Sequence, residues 1–128
     1  MSASSHSVAI VDDEASVGRA IRRLLKSANI DAVAFASGEA FLDALHAADP
    51  YRPACVILDF QMPGLSGIDV QQRLAGSGLP VIIITAHDEP RVREQAHAGG
   101  ALAYLCKPFD ELDLIDAVRS VLDKDRDA

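Results

Sequence analysis

The sequence predicts an α/β layered domain, and three observations lead to it. Five short apolar runs recur along the 128 residues, stretches of helical periodicity separate them, and no linker, repeat or low-complexity segment divides the chain. The runs are VAIV at 8–11, AVAF at 32–35, CVIL at 55–58, VIII at 81–84 and AYLC at 103–106. Runs this apolar suit strands buried on both faces, as in a parallel sheet. Right-handed crossovers then place helices on both sides of that sheet.

The helices follow from spacing. Within 15–28, Val17, Ile21, Leu24 and Leu25 fall at i, i+4, i+7 and i+8, one face of a helix. Ser37 is the N-cap expected for the next, in which Phe41, Leu42 and Leu45 repeat the pattern. The segment 66–75 is shorter, with Ile68, Val70 and Leu74. Residues 88–98 have Pro90 near the start and Gly99-Gly100 as a stop, but only Val92 as a large apolar residue. This fourth helix is therefore expected to be weakly anchored and to shift easily. The fifth runs from Asp110 to about Leu122, with Leu114, Ile115, Val118 and Leu122 facing inward. Its acids (Asp110, Glu111, Asp113) lead and its bases (Arg119, Lys124, Arg126) trail, as the helix dipole favours.

A chain of this length is one ordinary domain, expected to span 1–128 with a core at about 7–123 and frayed polar ends, roughly 1–6 and 124–128. No apolar run approaches the roughly 20 residues of a membrane span. MSASSH at the start lacks the basic-then-apolar pattern of a signal peptide, so a cytoplasmic location is expected. The net charge of −7 argues against non-specific binding to nucleic acid. Cys55 and Cys106 lie in apolar surroundings without metal-site spacing and are expected to be buried, reduced thiols. The four histidines are scattered and suggest no zinc site.

In an open parallel sheet, ligands bind beyond the carboxyl ends of the strands. The first run ends in Asp12-Asp13-Glu14, the third in Asp59, the fourth in Thr85-Ala86 and the fifth in Lys107-Pro108. The second ends in Ala36-Ser37 and offers nothing comparable. Singly, each residue has a plainer reading: Asp12 or Asp13 as a helix cap, Thr85 as a strand-end hydroxyl bonded to backbone, Lys107 as a solvated lysine, Asp59 as a turn residue. Together they converge on one edge.

Electrostatics narrows what that edge does. Two carboxylates ~4 Å apart repel by about 4 kcal/mol at an effective dielectric near 20, so three do not crowd together ionised without a cation. Oxygen ligands without His or Cys suit a hard ion, Mg²⁺ or Mn²⁺. A lysine and a threonine hydroxyl supply donors for a tetrahedral oxyanion. The set describes phosphoryl transfer, with an aspartate as candidate nucleophile.

The same segments resemble a known family. VDDE (11–14), LDFQMPGLSG (58–67), ITA (84–86) and YLCKPF (104–109) stand in the order and at the separations found in response-regulator receiver domains of two-component signalling. The resemblance covers about residues 7 to 123, and FASGEAFLDAL and LPVIIITAH resemble the receivers of FixJ-type regulators. Those regulators commonly carry a C-terminal helix-turn-helix domain, which does not occur within these residues.

The resemblance implies a flavodoxin-like (βα)5 fold, a doubly wound five-stranded parallel sheet in the order 2-1-3-4-5. It implies that Asp59 accepts a phosphoryl group from a sensor histidine kinase or phosphotransfer protein. Asp12 or Asp13 would hold Mg²⁺ with Asp59 and the backbone carbonyl of Gln61, while Thr85 and Lys107 contact the phosphoryl oxygens. Lys107-Pro108 would be cis, aiming Lys107 inward. Tyr104 would be an aromatic switch, and Gln61 and His87 would tune the lifetime of the phosphorylated state. The output implied is a changed surface on helix four, strand five and helix five, favouring homodimerisation or partner docking. Such a chain catalyses its own phosphorylation and dephosphorylation and is a signalling switch, not a metabolic enzyme. Cys106 fills a place more often polar in relatives, and Gly99-Gly100 lengthens the glycine stop.

Two other classes fit less well. A haloacid-dehalogenase-like phosphatase needs Asp-x-Asp after strand one, where this chain has Asp12-Asp13-Glu14. A flavodoxin-like electron carrier cradles the flavin phosphate in its first loop, which three acids would repel.

Overall fold

β1 (Val8–Val11), β2 (Ala32–Phe35), β3 (Cys55–Asp59), β4 (Val81–Thr85) and β5 (Ala103–Cys106) pair in parallel in the order β2-β1-β3-β4-β5. This computed structural model describes residues 7–87 and 89–127; residues 1–6 and 128, expected to fray, lie outside the described residues. Helices alternate with the strands: α1 (Ala15–Ser27), α2 (Gly38–Leu45), α3 (Gly67–Leu74), α4 (Pro90–Ala98) and α5 (Glu111–Asp127). The expected flavodoxin-like fold and strand order are what the chain adopts.

Two apolar layers sandwich the sheet. One joins Ile21 and Leu25 of α1 to Leu114 and Val118 of α5 over Val8, Ile10, Ile57 and Ile82. The other gathers Phe41 of α2, Val70 and Leu74 of α3 and Ala96 of α4 over Val11, Val56, Leu58 and Ile83. The faces alternate along each strand because successive side chains point to opposite sides. Fully burying one Val, Leu or Ile side chain contributes about 1.5–3 kcal/mol.

The expectation that all five strands are buried on both faces holds for β1, β3 and β4 and fails at the edges. Each residue of the three central strands is buried, whereas β5 is half-buried throughout and Val33 of β2 is 42% exposed. An edge strand has a neighbour on one side only, and apolar composition does not reveal position in the sheet. Cys106 is corrected for the same reason: Cys55, on central β3, is buried, but Cys106, on edge β5, is half-buried.

Local signals set the helix ends. The Ser37 hydroxyl accepts the Ala40 N–H at 3.0 Å, as its N-cap role requires. α3 opens on a capping box, in which Ser66 Oγ accepts the Asp69 N–H and the Asp69 carboxylate accepts the Ser66 N–H. α5 runs past Leu122 to Asp127; its inward residues are Leu114, Ile115, Val118 and Val121, with Leu122 half-buried.

Candidate functional site

β1 and β3 are neighbours, so the residues at their carboxyl ends meet. Asp12 follows β1 and Asp59 closes β3; they are 2% and 5% exposed, while Asp13 is exposed beside them. One carboxylate oxygen from each of Asp12, Asp13 and Asp59 lies within 4.8 Å of the others, the one cluster with metal-ligating spacing among the described residues. Asp12 is held by the N–H of Glu14, which donates to its Oδ1 at 2.9 Å. Gly67 lets the start of α3 pack on the end of β3, where a Cβ would collide with the Asp59 carbonyl.

Lys107 faces the acids from beyond β5. Its Nζ donates to Asp12 Oδ2 at 3.0 Å and lies 3.7 Å from Asp59 Oδ1 and 3.9 Å from Glu14 Oε1. Its backbone N–H donates to the Thr85 carbonyl at 2.7 Å, and the Lys107–Pro108 bond is cis. Thr85, buried at the end of β4, accepts the His87 N–H on Oγ1 at 3.1 Å.

The charges are out of balance. Burial pushes the Asp59 carboxyl up to about 7, and the Asp12 and Asp13 charges add to the rise, while Lys107 and the Gln61 backbone N–H oppose it. For Lys107, burial alone would lower the pKa; the Asp12 hydrogen bond and the charges of Asp59, Asp12 and Glu14 together raise it. One partly buried ammonium faces two buried and two exposed carboxylates. This surplus of hard oxygen donors fits a divalent cation such as Mg²⁺.

Of the predicted site residues, Asp12, Asp13, Asp59, Thr85 and Lys107 share this edge. Gln61 and His87 lie beside it with exposed side chains. Tyr104 does not join the cluster. It pairs with Ile83 in register, which puts it on the same sheet face as Thr85, two residues further along β4. Arg93 of α4 lies over its ring, with the guanidinium carbon 5.0 Å from the centroid. Sequence reasoning missed Arg93 because no short-range pattern links positions on a helix and the following strand.

The sequence matches the family described as the response regulator receiver domain over residues 8–119. The chain belongs to that family. It is 36% identical to nodulation protein W of Bradyrhizobium diazoefficiens, covering 93% of this chain and 52% of that protein. It is 34% identical to transcriptional regulatory protein FixJ of Azorhizobium caulinodans, covering 90% of this chain and 54% of that one. The chain thus spans about half the length of the curated relatives it matches. A crystal structure of a response regulator receiver protein from Burkholderia phymatum superposes with a TM-score of 0.84 at 60% identity, covering 91% of this chain and 94% of that one. A receiver is a signalling module of two-component response regulators. No helix among the described residues is long and apolar enough to cross a membrane.

Proposed function

We propose that this receiver accepts a phosphoryl group on Asp59 in a Mg²⁺-dependent reaction, from the phosphohistidine of a sensor histidine kinase or phosphotransfer protein. The observation that carries the reading is the buried Asp59 carboxylate set between Asp12, Asp13 and Lys107. An Asp59 oxygen forms the new P–O bond as the P–N bond breaks; the imidazole leaves with that electron pair and takes up a proton.

Asp12 and Asp13 would hold Mg²⁺ together with Asp59 and the Gln61 backbone carbonyl; Mn²⁺ suits the same donors. When bound, the ion supplies positive charge that offsets the carboxylates and the phosphoryl oxygens. Lys107, 3.7 Å from Asp59 Oδ1, needs little movement to reach those oxygens. The Thr85 hydroxyl turns from the His87 backbone towards them. Tyr104 then moves into the vacated space, altering the groove between α4 and β5. Gln61 and His87, at the mouth, guide or block the water that hydrolyses the acyl phosphate. The chain catalyses both its phosphorylation and its dephosphorylation, and the altered surface favours self-association or a protein partner. Nucleic acid is not bound by this acidic domain itself.

Acetyl phosphate with Mg²⁺ tests the assignment. One labile phosphoryl group should appear by intact-mass measurement, and EDTA should prevent it. Undiminished labelling of Asp59→Asn would sink the nucleophile assignment.

A further inference from the structure

α4 is held differently at its two ends. At its start Glu89, the N-cap residue, makes no side-chain cap bond, and Glu89, Pro90 and Arg91 are exposed. At its finish Gly100 takes φ +95°, and the Gly100 and Ala101 N–H groups donate to the carbonyls of His97 and Ala96 at 2.9 and 3.1 Å. That is a Schellman motif, which satisfies the last carbonyls of a helix.

A second element reaches the same carbonyl. Gln71 of α3 is 3% exposed, and its Nε2 donates to the Ala96 oxygen at 3.0 Å. The amide lies flat on Gly99, where a Cβ would meet Cδ, Nε2 and Oε1 at 2.6 to 2.7 Å. Gly99 has φ −80°, open to any residue, so glycine serves there for room. The double glycine therefore does two separate jobs, clearance at Gly99 and the left-handed turn at Gly100. A buried amide is costly unless bonded, so Gln71 holds α4 to α3 through a bond it cannot cheaply lose. α3 is a firm reference, capped at Ser66 and seated at Gly67 against the Asp59 carbonyl.

We propose that Gln71 is a positioning residue that makes the C-terminal end of α4 a pivot, about which the N-terminal end, without a side-chain cap, swings when Asp59 is phosphorylated. The proposal rests on the phosphoryl-switch reading above. The swing begins where Thr85 holds the His87 N–H, because that backbone leads into the uncapped end of α4. The groove of about 680 Å³ between α4 and β5 then changes at Pro90 and Arg93 while its His97 and Leu102 end stays fixed.

Amide hydrogen exchange of the whole chain, with and without Mg²⁺-beryllofluoride as phosphoryl mimic, tests it in the wild type, Gln71→Met and Gly99→Ala. The methionine keeps the volume and removes the donor; the alanine displaces the amide. In the wild type the mimic should change exchange at His87, which loses the Thr85 hydroxyl, and across the rest of 86–93 while Gly100 and Ala101 stay constant. In both variants Gly100 and Ala101 should exchange about fivefold faster or more and become responsive to the mimic. A purely structural Gln71 would raise exchange equally in both ligand states and leave the mimic-induced difference unchanged, which would overturn the pivot. So would a wild-type response as large at Gly100 and Ala101 as across 86–93. If neither His87, whose N–H the Thr85 hydroxyl accepts, nor any other amide of 86–93 responds in the wild type, the phosphoryl-switch reading falls and the pivot with it.

Discussion

Cys55 and Asp59 stand at the two ends of β3, both buried, and loss of water raises both pKa values, the thiol to about 12 and the carboxyl to about 7. The consequences differ. A thiol is neutral at physiological pH anyway, so burying Cys55 opposes nothing and leaves it inert. A carboxyl is ordinarily charged there, and Asp59 is buried beside Asp12 and Asp13, which make ionisation harder still. The same desolvation that makes one end of the strand inert core leaves at the other end a carboxyl that is hard to ionise, because only at the second do charges converge.

The largest expected effect breaks the comparison outright. Asp59→Asn makes both ends of β3 neutral: phosphoryl labelling should vanish, and the metal-free fold should gain about 1–3 kcal/mol as a buried charge is removed. Chemical denaturation in EDTA measures the gain; an equal or lower stability would show that Lys107 already compensates Asp59.

Lys107→Met pushes the other way. It leaves Asp12 and Asp59 without their ammonium at 3.0 and 3.7 Å. Removing one partner of a buried pair costs about 3–5 kcal/mol, and the open mouth of this site reduces the expected loss to about 1–3 kcal/mol. Added Mg²⁺ should recover part of it, whereas Asp12→Asn/Asp13→Asn should lose the Mg²⁺-dependent rise in Tm. A Tm rise undiminished in the double variant would remove Asp12 and Asp13 from the metal site.

pH sharpens the contrast without mutation. The folded pKa of Asp59, about 7, exceeds its ordinary 3.8, so the folded state keeps the proton longer. Below about pH 4 the group contributes no pH dependence; stability then falls as pH rises, by about 2–4 kcal/mol in all, and levels off above about 7. Asp59→Asn should flatten this slope in EDTA. With Asp59 as a proposed ligand, Mg²⁺ would have to displace the same proton, so its affinity should weaken about tenfold per unit below pH 7. A slope identical in wild type and variant would assign the pH dependence to other groups.

Much of this was legible from residue order alone. The runs ending in Asp12, Asp59, Thr85 and Lys107 fix which side chains share an edge once the sheet is parallel, because every such strand delivers its last residue to the same side. Exposure at Val33 and Cys106 was not legible, since composition does not say which strand lies outermost. Gln71 was hidden for another reason: a glutamine in an amphipathic helix looks solvated, and its partner Ala96 lies on the next helix. The glycines 99 and 100 were visible as a stop but not as two distinct contacts.

The smallest expected effect lies at the quiet end of β3. With its pKa near 12, Cys55 is thiolate in only about one molecule in ten thousand at pH 8, and it is fully buried besides. Cys106 is half-buried on the sheet edge, its Sγ 3.8 Å from the Lys107 carbonyl. Iodoacetamide should therefore modify one thiol in native protein and two in denaturant, with peptide mapping placing the native adduct on Cys106. Cys55→Ala should cost about 1 kcal/mol for the lost sulfur contacts and leave the rate of phosphoryl labelling unchanged. Asp59 and Cys55 lie four residues apart on one rigid strand, so this is a strict test of whether burial at one end is independent of chemistry at the other. Labelling slowed by more than the stability loss explains, or native modification of Cys55 as fast as that of Cys106, would show that the two ends are coupled.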